Sequence, residues 1–310
     1  MKLETFTYTL NKGWSIPSFP DLDSQQTLVL IFATPELINN PLPIKELSNH
    51  YPQSHIIGCS SAGGIFETSI QDNGLSVAVV RFEGTFLKAI NTPITQIKDS
   101  FSAGEIIAND LQASDLKGIL VLSNGLIVNG SKLAQGLNKL NEKSSEKAVI
   151  TGGLAGDGKK FKETWTIFQG EIYKDTIVAV GFYGNNINID YASRGGWDVF
   201  GPARYITRSK HNILYELDGK PALDLYKEYL GDRASGLPST GVFFPLAIRK
   251  DETSRHVVRT VMGVDEKERS LIFAGDMPTG NLAQLMRANF DRLIASAGDA
   301  GEKAGRKIQT

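Results

Sequence analysis

The feature that most constrains this chain is an internal duplication, seen when the first two hundred or so residues are laid against themselves at an offset of roughly 90–100 residues. Leu28-Val29-Leu30-Ile31-Phe32-Ala33 then runs beside Ile119-Leu120-Val121-Leu122-Ser123-Asn124, and both are short apolar runs of the kind that form buried strands. An amphipathic helix follows each. In the first copy Pro43 opens it and Ile44, Leu47 and Tyr51 share a face; in the second Ser131 is the expected N-cap and Leu133, Leu137 and Leu140 share a face. Next, each copy sends a strand into a loop of small residues, Ile57-Gly58-Cys59-Ser60-Ser61-Ala62-Gly63-Gly64 and Ile150-Thr151-Gly152-Gly153-Leu154-Ala155-Gly156-Asp157-Gly158. Each copy is expected to close on a hairpin, 77–82 turning into 86–90 and 177–183 turning into 187–191. Chance likeness between two α/β segments is the alternative to duplication. The pattern predicts an α/β (α+β) fold of mixed and antiparallel sheets flanked by helices, with an internally duplicated N-terminal half, the repeats spanning 28–90 and 119–192.

Between the copies, Ser102-Ala103-Gly104-Glu105 fits a capping box ahead of Ile106, Ile107 and Leu111. Further on, 212–217 reads as a strand, and Pro221 begins a helix whose inner face carries Leu225, Tyr226, Tyr229 and Leu230 and which Gly231 ends. Strands are expected at 242–248, 256–262 and 270–274. A last helix, capped by Asn281, is expected to carry Leu282, Leu285, Met286, Leu293 and Ile294 on one stripe, with 299–310 a flexible tail.

With 33 Lys and Arg against 34 Asp and Glu, the formal net charge is −1, which gives no basic excess for a nucleic-acid partner. A single cysteine, Cys59, rules out an intrachain disulfide and a cysteine-built zinc cage by counting, and it suits a reducing compartment. There is no apolar run of about 18 residues and no leader-like start. A cytoplasmic protein without membrane insertion is the expectation.

Chemistry-bearing groups are sparse. Gly153-Leu154-Ala155-Gly156-Asp157-Gly158-Lys159 resembles part of a phosphate loop, but Lys160 replaces the expected Ser or Thr and the following Thr164-Trp165-Thr166-Ile167-Phe168 reads as strand. In the loop 58–64, approachable amides of small residues beside the Ser60 and Ser61 hydroxyls suit a carboxylate or another small anion. There Cys59 is open to three readings: a small packed residue, a ligand-lining one, or the nucleophile of a hydrolase that would still need a base. Arg194-Gly195-Gly196-Trp197 sets a cation by an aromatic ring, either to clamp a carboxylate or as a turn. Arg255 and Arg259 flank His256 on an expected strand and would share a face. None of His50, His55, His211 and His256 has metal-ligand spacing, although one imidazole suffices as an axial haem ligand. No catalytic constellation is evident, so the chain is expected not to be an enzyme. The ligand-binding candidates are Gly58, Cys59, Ser60, Ser61, Gly63, Gly153, Asp157, Arg194, Trp197 and Arg259, with the 58–64 and 152–158 loops converging through the pseudo-symmetry.

These segments resemble the FIST domain family. The residues that carry the resemblance are 57–64 and 152–158 as quoted, Arg194-Gly195-Gly196-Trp197 with Gly201-Pro202, Glu216-Leu217-Asp218-Gly219-Lys220-Pro221-Ala222-Leu223 through Tyr229-Leu230-Gly231, and Gly275-Asp276-Met277-Pro278-Thr279-Gly280. Their order spans roughly residues 28–297. The resemblance implies a FIST N-like region over 25–200 and a FIST C-like region over 201–298. It also implies a signal-transduction sensor for a small molecule such as an amino acid, or in one branch a haem-dependent nitric-oxide sensor. Partners implied are a histidine kinase, a chemoreceptor or a cyclic-dinucleotide signalling protein, reached in trans. Family members usually carry a further strand with a Ser-Cys-x-x-Arg-like sequence, so a truncated or divergent C-terminal region is expected.

Overall fold

A computed structural model describes residues 1–142 and 146–308, with side chains through residue 305. The chain forms two compact units, Met1–Val128 with Leu133–Ile189, and Asn129–Lys132 with Asp190–Thr310.

The first unit runs β1 (Lys2–Thr9), β2 (Gly13–Trp14), β3 (Thr27–Ala33), α1 (Leu42–His50), β4 (His55–Ser60), β5 (Gly64–Phe66), β6 (Ser69–Gln71), β7 (Gly74–Arg81) and β8 (Phe86–Pro93). It continues with α2 (Ser100–Leu111), β9 (Leu116–Ser123), α3 (Gly130–Glu142), β10 (Val149–Leu154), β11 (Thr166–Phe168), β12 (Glu171–Tyr173) and β13 (Thr176–Tyr183). One sheet has the order β12-β11-β4-β3-β7-β1-β2 and another β10-β9-β13-β8. Alternation along the strands sorts their side chains to two faces. Val29 and Ile31 pack with Ile44, Leu47 and Tyr51 of the α1 region, and Ile119 and Val121 pack with Ile107 of α2 and Leu137 of α3. The intervening Leu28, Leu122, Val178 and Val180 meet in a shared cluster between the sheets. The result is an α-β-β-α sandwich.

The duplication is visible in the topology, with its boundaries moved. In one sheet β3 pairs parallel with β4 and antiparallel with β7, which pairs with β1; in the other β9 pairs parallel with β10 and antiparallel with β13, which pairs with β8. The expected hairpins are therefore corrected. Residues 86–93 pair with β13 across the repeat boundary, and residues 187–191 form no strand, although Ile187 and Ile189 still cover the inter-sheet core. Each copy begins one strand earlier than apolar alternation suggested, because alternation reveals a half-buried strand but not its partner.

A second equivalence lies in the short hairpins. Gly64-Ile65-Phe66 and Ile70 correspond to Thr166-Ile167-Phe168 and Ile172, and both turns use a left-handed residue, Glu67 (φ 52°) and Gln169 (φ 50°). β11 adds to the edge of β4, where Ile167 is fully buried. β5 and β6 pair only with each other and leave Ile65 77% and Ile70 74% exposed. The connection before β11 spans residues 155–165, that before β5 only residues 61–63.

The second unit holds β14 (Trp197–Lys210), β15 (Ile213–Leu217), β16 (Lys220–Pro221), α4 (Ala222–Leu230), β17 (Leu246–Arg249), β18 (Val257–Arg259), β19 (Val261–Asp265), β20 (Ser270–Phe273), β21 (Leu282–Ala288) and α5 (Phe290–Ile308). Its sheet follows β18-β17-β21-β14-β15-β20-β19 around a core of Leu214, Leu223, Tyr226, Leu246, Leu271 and Leu285. The expected helix from Asn281 is corrected: Leu282, Leu285 and Met286 belong to β21, which is central between β14 and β17. A strand buried on both faces shows no alternation, so its short apolar run mimics a helical stripe. The helix starts at Phe290, capped by Asn289, whose Oδ1 accepts from the Arg292 amide at 3.2 Å. It continues through Ile308 where a flexible tail was expected; 309–310 lie outside the described residues. Likewise α3 is capped not by Ser131 but by Asn129, whose Oδ1 accepts from the Ser131 and Lys132 amides at 3.0 and 3.2 Å.

Candidate functional site

The two small-residue loops do meet within the first unit, and several of their polar groups have partners there. The Gly156 amide donates to the Ser60 carbonyl at 3.0 Å, the Ser60 amide to Trp165 O at 2.9 Å, the Ser61 amide to Ala33 O at 2.8 Å and the Ala155 amide to Ser123 O at 2.8 Å. Ser60 Oγ accepts from the Trp165 amide at 3.2 Å, and the Ser61 hydroxyl donates to Gly63 O at 2.8 Å. Asp157 is buried and holds its own loop, accepting from the amides of Phe161, Lys162 and Glu163. Gly58 lies inside β4, where a Cβ would stand 2.2 Å from the Ile31 carbonyl. Gly153 sits exposed on β10. Of the loop amides expected to be free, those of Ser60, Ser61, Ala155 and Gly156 have partners within the fold.

Cys59 is 4% exposed in the inter-sheet core, and burial pushes its thiol up to about 12. A neutral, enclosed thiol lacks the thiolate that a nucleophile requires, so the geometry favours the packing role. The phosphate-loop reading also ends here. After Gly158 the chain turns through Phe161, both at positive φ, and enters β11 rather than a helix.

The second unit contains a cleft of about 660 Å³ lined by Ser193, Arg194, Gly195, Trp197, Arg255, His256, Val257, Val258 and Met286. Two segments far apart in sequence build it, 193–197 entering β14 and 255–258 entering β18, and Met286 of β21 adds to the lining. Among the described residues, neither guanidinium has a hydrogen-bond or ion-pair partner, and Trp197 Nε1 is a buried donor that meets no acceptor. Unpaired donors around an apolar wall are what ligand clefts present.

The backbone of 193–197 is fastened to the start of α5. The Asn289 amide donates to Gly196 O at 3.0 Å and the Ser296 hydroxyl to Gly195 O at 3.1 Å, while Arg292 Nη1 meets Asp198 Oδ1 at 2.5 Å. Gly196 permits this approach, since a Cβ there would lie 2.3 Å from the Leu293 amide nitrogen.

Thus Arg194 and Trp197 share a cleft, and Arg259 is elsewhere. Its Nη2 donates to Ser131 Oγ at 2.9 Å and its Nε to Asp276 O at 3.2 Å, and burial lowers its affinity for a proton. The expectation that Arg255 and Arg259 share a face is corrected because β18 starts only at Val257, leaving Arg255 and His256 on an irregular segment. Arg255 and His256 join the site that sequence reasoning had assigned to other residues; Val257, Val258 and Met286 were not foreseen as lining, for a buried strand gives no directional signal.

The remaining histidines are placed differently. His50 packs against Phe19 and Tyr51, half-buried His55 has its proton affinity lowered by burial, and His211 occupies the left-handed turn before β15. His256 lines the cleft but is itself exposed. Haem ligation calls for an imidazole in a water-excluding apolar pocket, and these residues do not fit it. Among the described residues, no group of three or more His, Cys, Asp or Glu side chains is arranged to hold a metal ion, and no helix is long and apolar enough to cross a membrane.

Comparison with known proteins places this geometry in a family. A family model for the FIST N domain matches residues 27–220 and one for the FIST C domain matches residues 222–309. The chain is also 24% identical over 280 residues to the uncharacterized protein MJ1623 of Methanocaldococcus jannaschii, an alignment covering 83% of this chain and 53% of that protein. The chain thus spans about half the length of that relative. FIST domains are associated with signal-transduction sensing. With both of its domain models matched in order over nearly the whole sequence, the chain belongs to the FIST family.

Proposed function

We propose that this chain is a small-molecule sensor whose ligand occupies the cleft of the second unit between Arg194, Trp197, Arg255 and His256. One observation carries the reading: two arginines that have no protein partner among the described residues line a single cleft together with Trp197. A bound anion would meet charge-assisted donors beside an aromatic side chain. The loop that presents Arg194 and Trp197 is bonded to α5, so a ligand that re-seats the loop would bear on that helix. The signal would then pass to a partner such as a histidine kinase, a chemoreceptor or a cyclic-dinucleotide enzyme.

Thermal-shift screening against a metabolite library tests the reading. The expected result is a stabilising compound whose effect is lost in Arg194→Gln and in Arg255→Gln and kept in Cys59→Ala; the reverse pattern would overturn it. For haem, titration is expected to give no stoichiometric Soret band. A band that His256→Ala abolishes would establish a haem sensor instead.

A further inference from the structure

We infer that the cleft selects an organic anion that carries no ammonium group, and so rejects zwitterionic amino acids. This deepens the cleft reading and rests on it. The wall contains two guanidinium groups, an imidazole and the Trp197 ring, and neither Asp nor Glu is among the lining residues. The acidic side chains near these segments are held elsewhere or lie outside the wall. Asp198 binds Arg292 and accepts from Asn289 Nδ2 at 3.0 Å. Asp251 accepts from the Thr253 and Ser254 amides at 3.0 and 2.8 Å, and its own loop holds its carboxyl down at about 2. Glu252 is exposed and does not line the cleft.

An amino acid brought here places its carboxylate on the arginines, but its ammonium then stands near guanidinium groups with no carboxylate in the lining to pair it. The guanidinium groups repel the ammonium, and no counter-charge in the lining offsets that repulsion. Removing the ammonium removes that repulsion and leaves the carboxylate contacts intact. The apolar side of the wall, formed by Val257, Val258 and the buried Met286, suits the hydrocarbon part of the ligand. That side separates an organic anion from inorganic phosphate.

The test uses matched pairs that differ by the ammonium alone: glutarate against glutamate, and 3-phenylpropionate against phenylalanine. Binding to the full chain is followed by calorimetry and by Trp197 fluorescence, the latter checked with Trp197→Phe. The expected result is that at least one ammonium-free member binds about tenfold or more tighter than its amino-acid partner and tighter than phosphate. Arg194→Gln and Arg255→Gln should each weaken that binding by about tenfold or more. Glutamate or phenylalanine binding as tightly as its partner, with the arginine variants still losing it, overturns the selectivity and leaves the cleft as the site. Binding that neither arginine variant alters overturns the cleft itself. Phosphate binding as tightly as the best organic anion, or no binding by any of them, overturns the organic-anion assignment.

Discussion

Cys59 shows how local context decides what a residue can do. A lone thiol in a run of small residues is open to reaction by composition alone, but in the inter-sheet core it is enclosed and its thiol is raised to about 12. A raised pKa means the folded state holds the neutral form. The native thiolate is therefore scarce below that value, and the fold loses stability as pH rises past the ordinary value of 9.0 toward about 12. Iodoacetamide at pH 8 should leave the native chain unmodified over a time in which the urea-unfolded chain reacts fully; rapid native alkylation would contradict the burial. Gly196 makes the complementary point, a residue needed for what it lacks. Gly196→Ala should cost about 1–3 kcal/mol of unfolding free energy through forced overpacking against α5, read by denaturant titration, and should raise proteolysis between residues 290 and 308. Arg194, Trp197 and their glycines were legible in the sequence because a cation beside an aromatic ring among glycines is a local pattern. Arg255 and His256 were visible as residues but not as site members, because nothing in a strand-like segment says where the strand begins.

At the scale of elements, the two equivalent hairpins form a natural experiment. Ile167 and Ile65 hold the same position in the repeat, one fully buried on the edge of β4 and the other exposed. Ile167→Ala should cost about 2–5 kcal/mol, whereas Ile65→Ala should stay within about 0.5 kcal/mol, both read from urea midpoints at constant slope. Equal costs would mean that the first hairpin is docked in solution. The same comparison explains what periodicity could reveal. Strands β3, β4, β9 and β10 were readable as short apolar runs, three of them ahead of polar or small residues, and helices α1, α3 and α4 because amphipathic helices carry a period. The partner of β8 was not, since an edge strand looks alike whichever sheet it joins, and β21 was misassigned because a strand buried on both faces has lost its period.

For the whole molecule, the account sets a duplicated sandwich and a second unit with its own core in one chain, and places the ligand in the second. Ligand binding to the native state alone stabilises by mass action, about 2.7 kcal/mol at a hundred times the dissociation constant, so a saturating ligand should raise the melting temperature measurably. The most direct test is amide hydrogen exchange of the full chain with and without the tightest ligand from the screen. Protection is predicted at 193–197 and 255–258, with no change at 58–64 or 152–158. Protection confined to 58–64 and 152–158 would contradict the account and return the site to the paired small-residue loops.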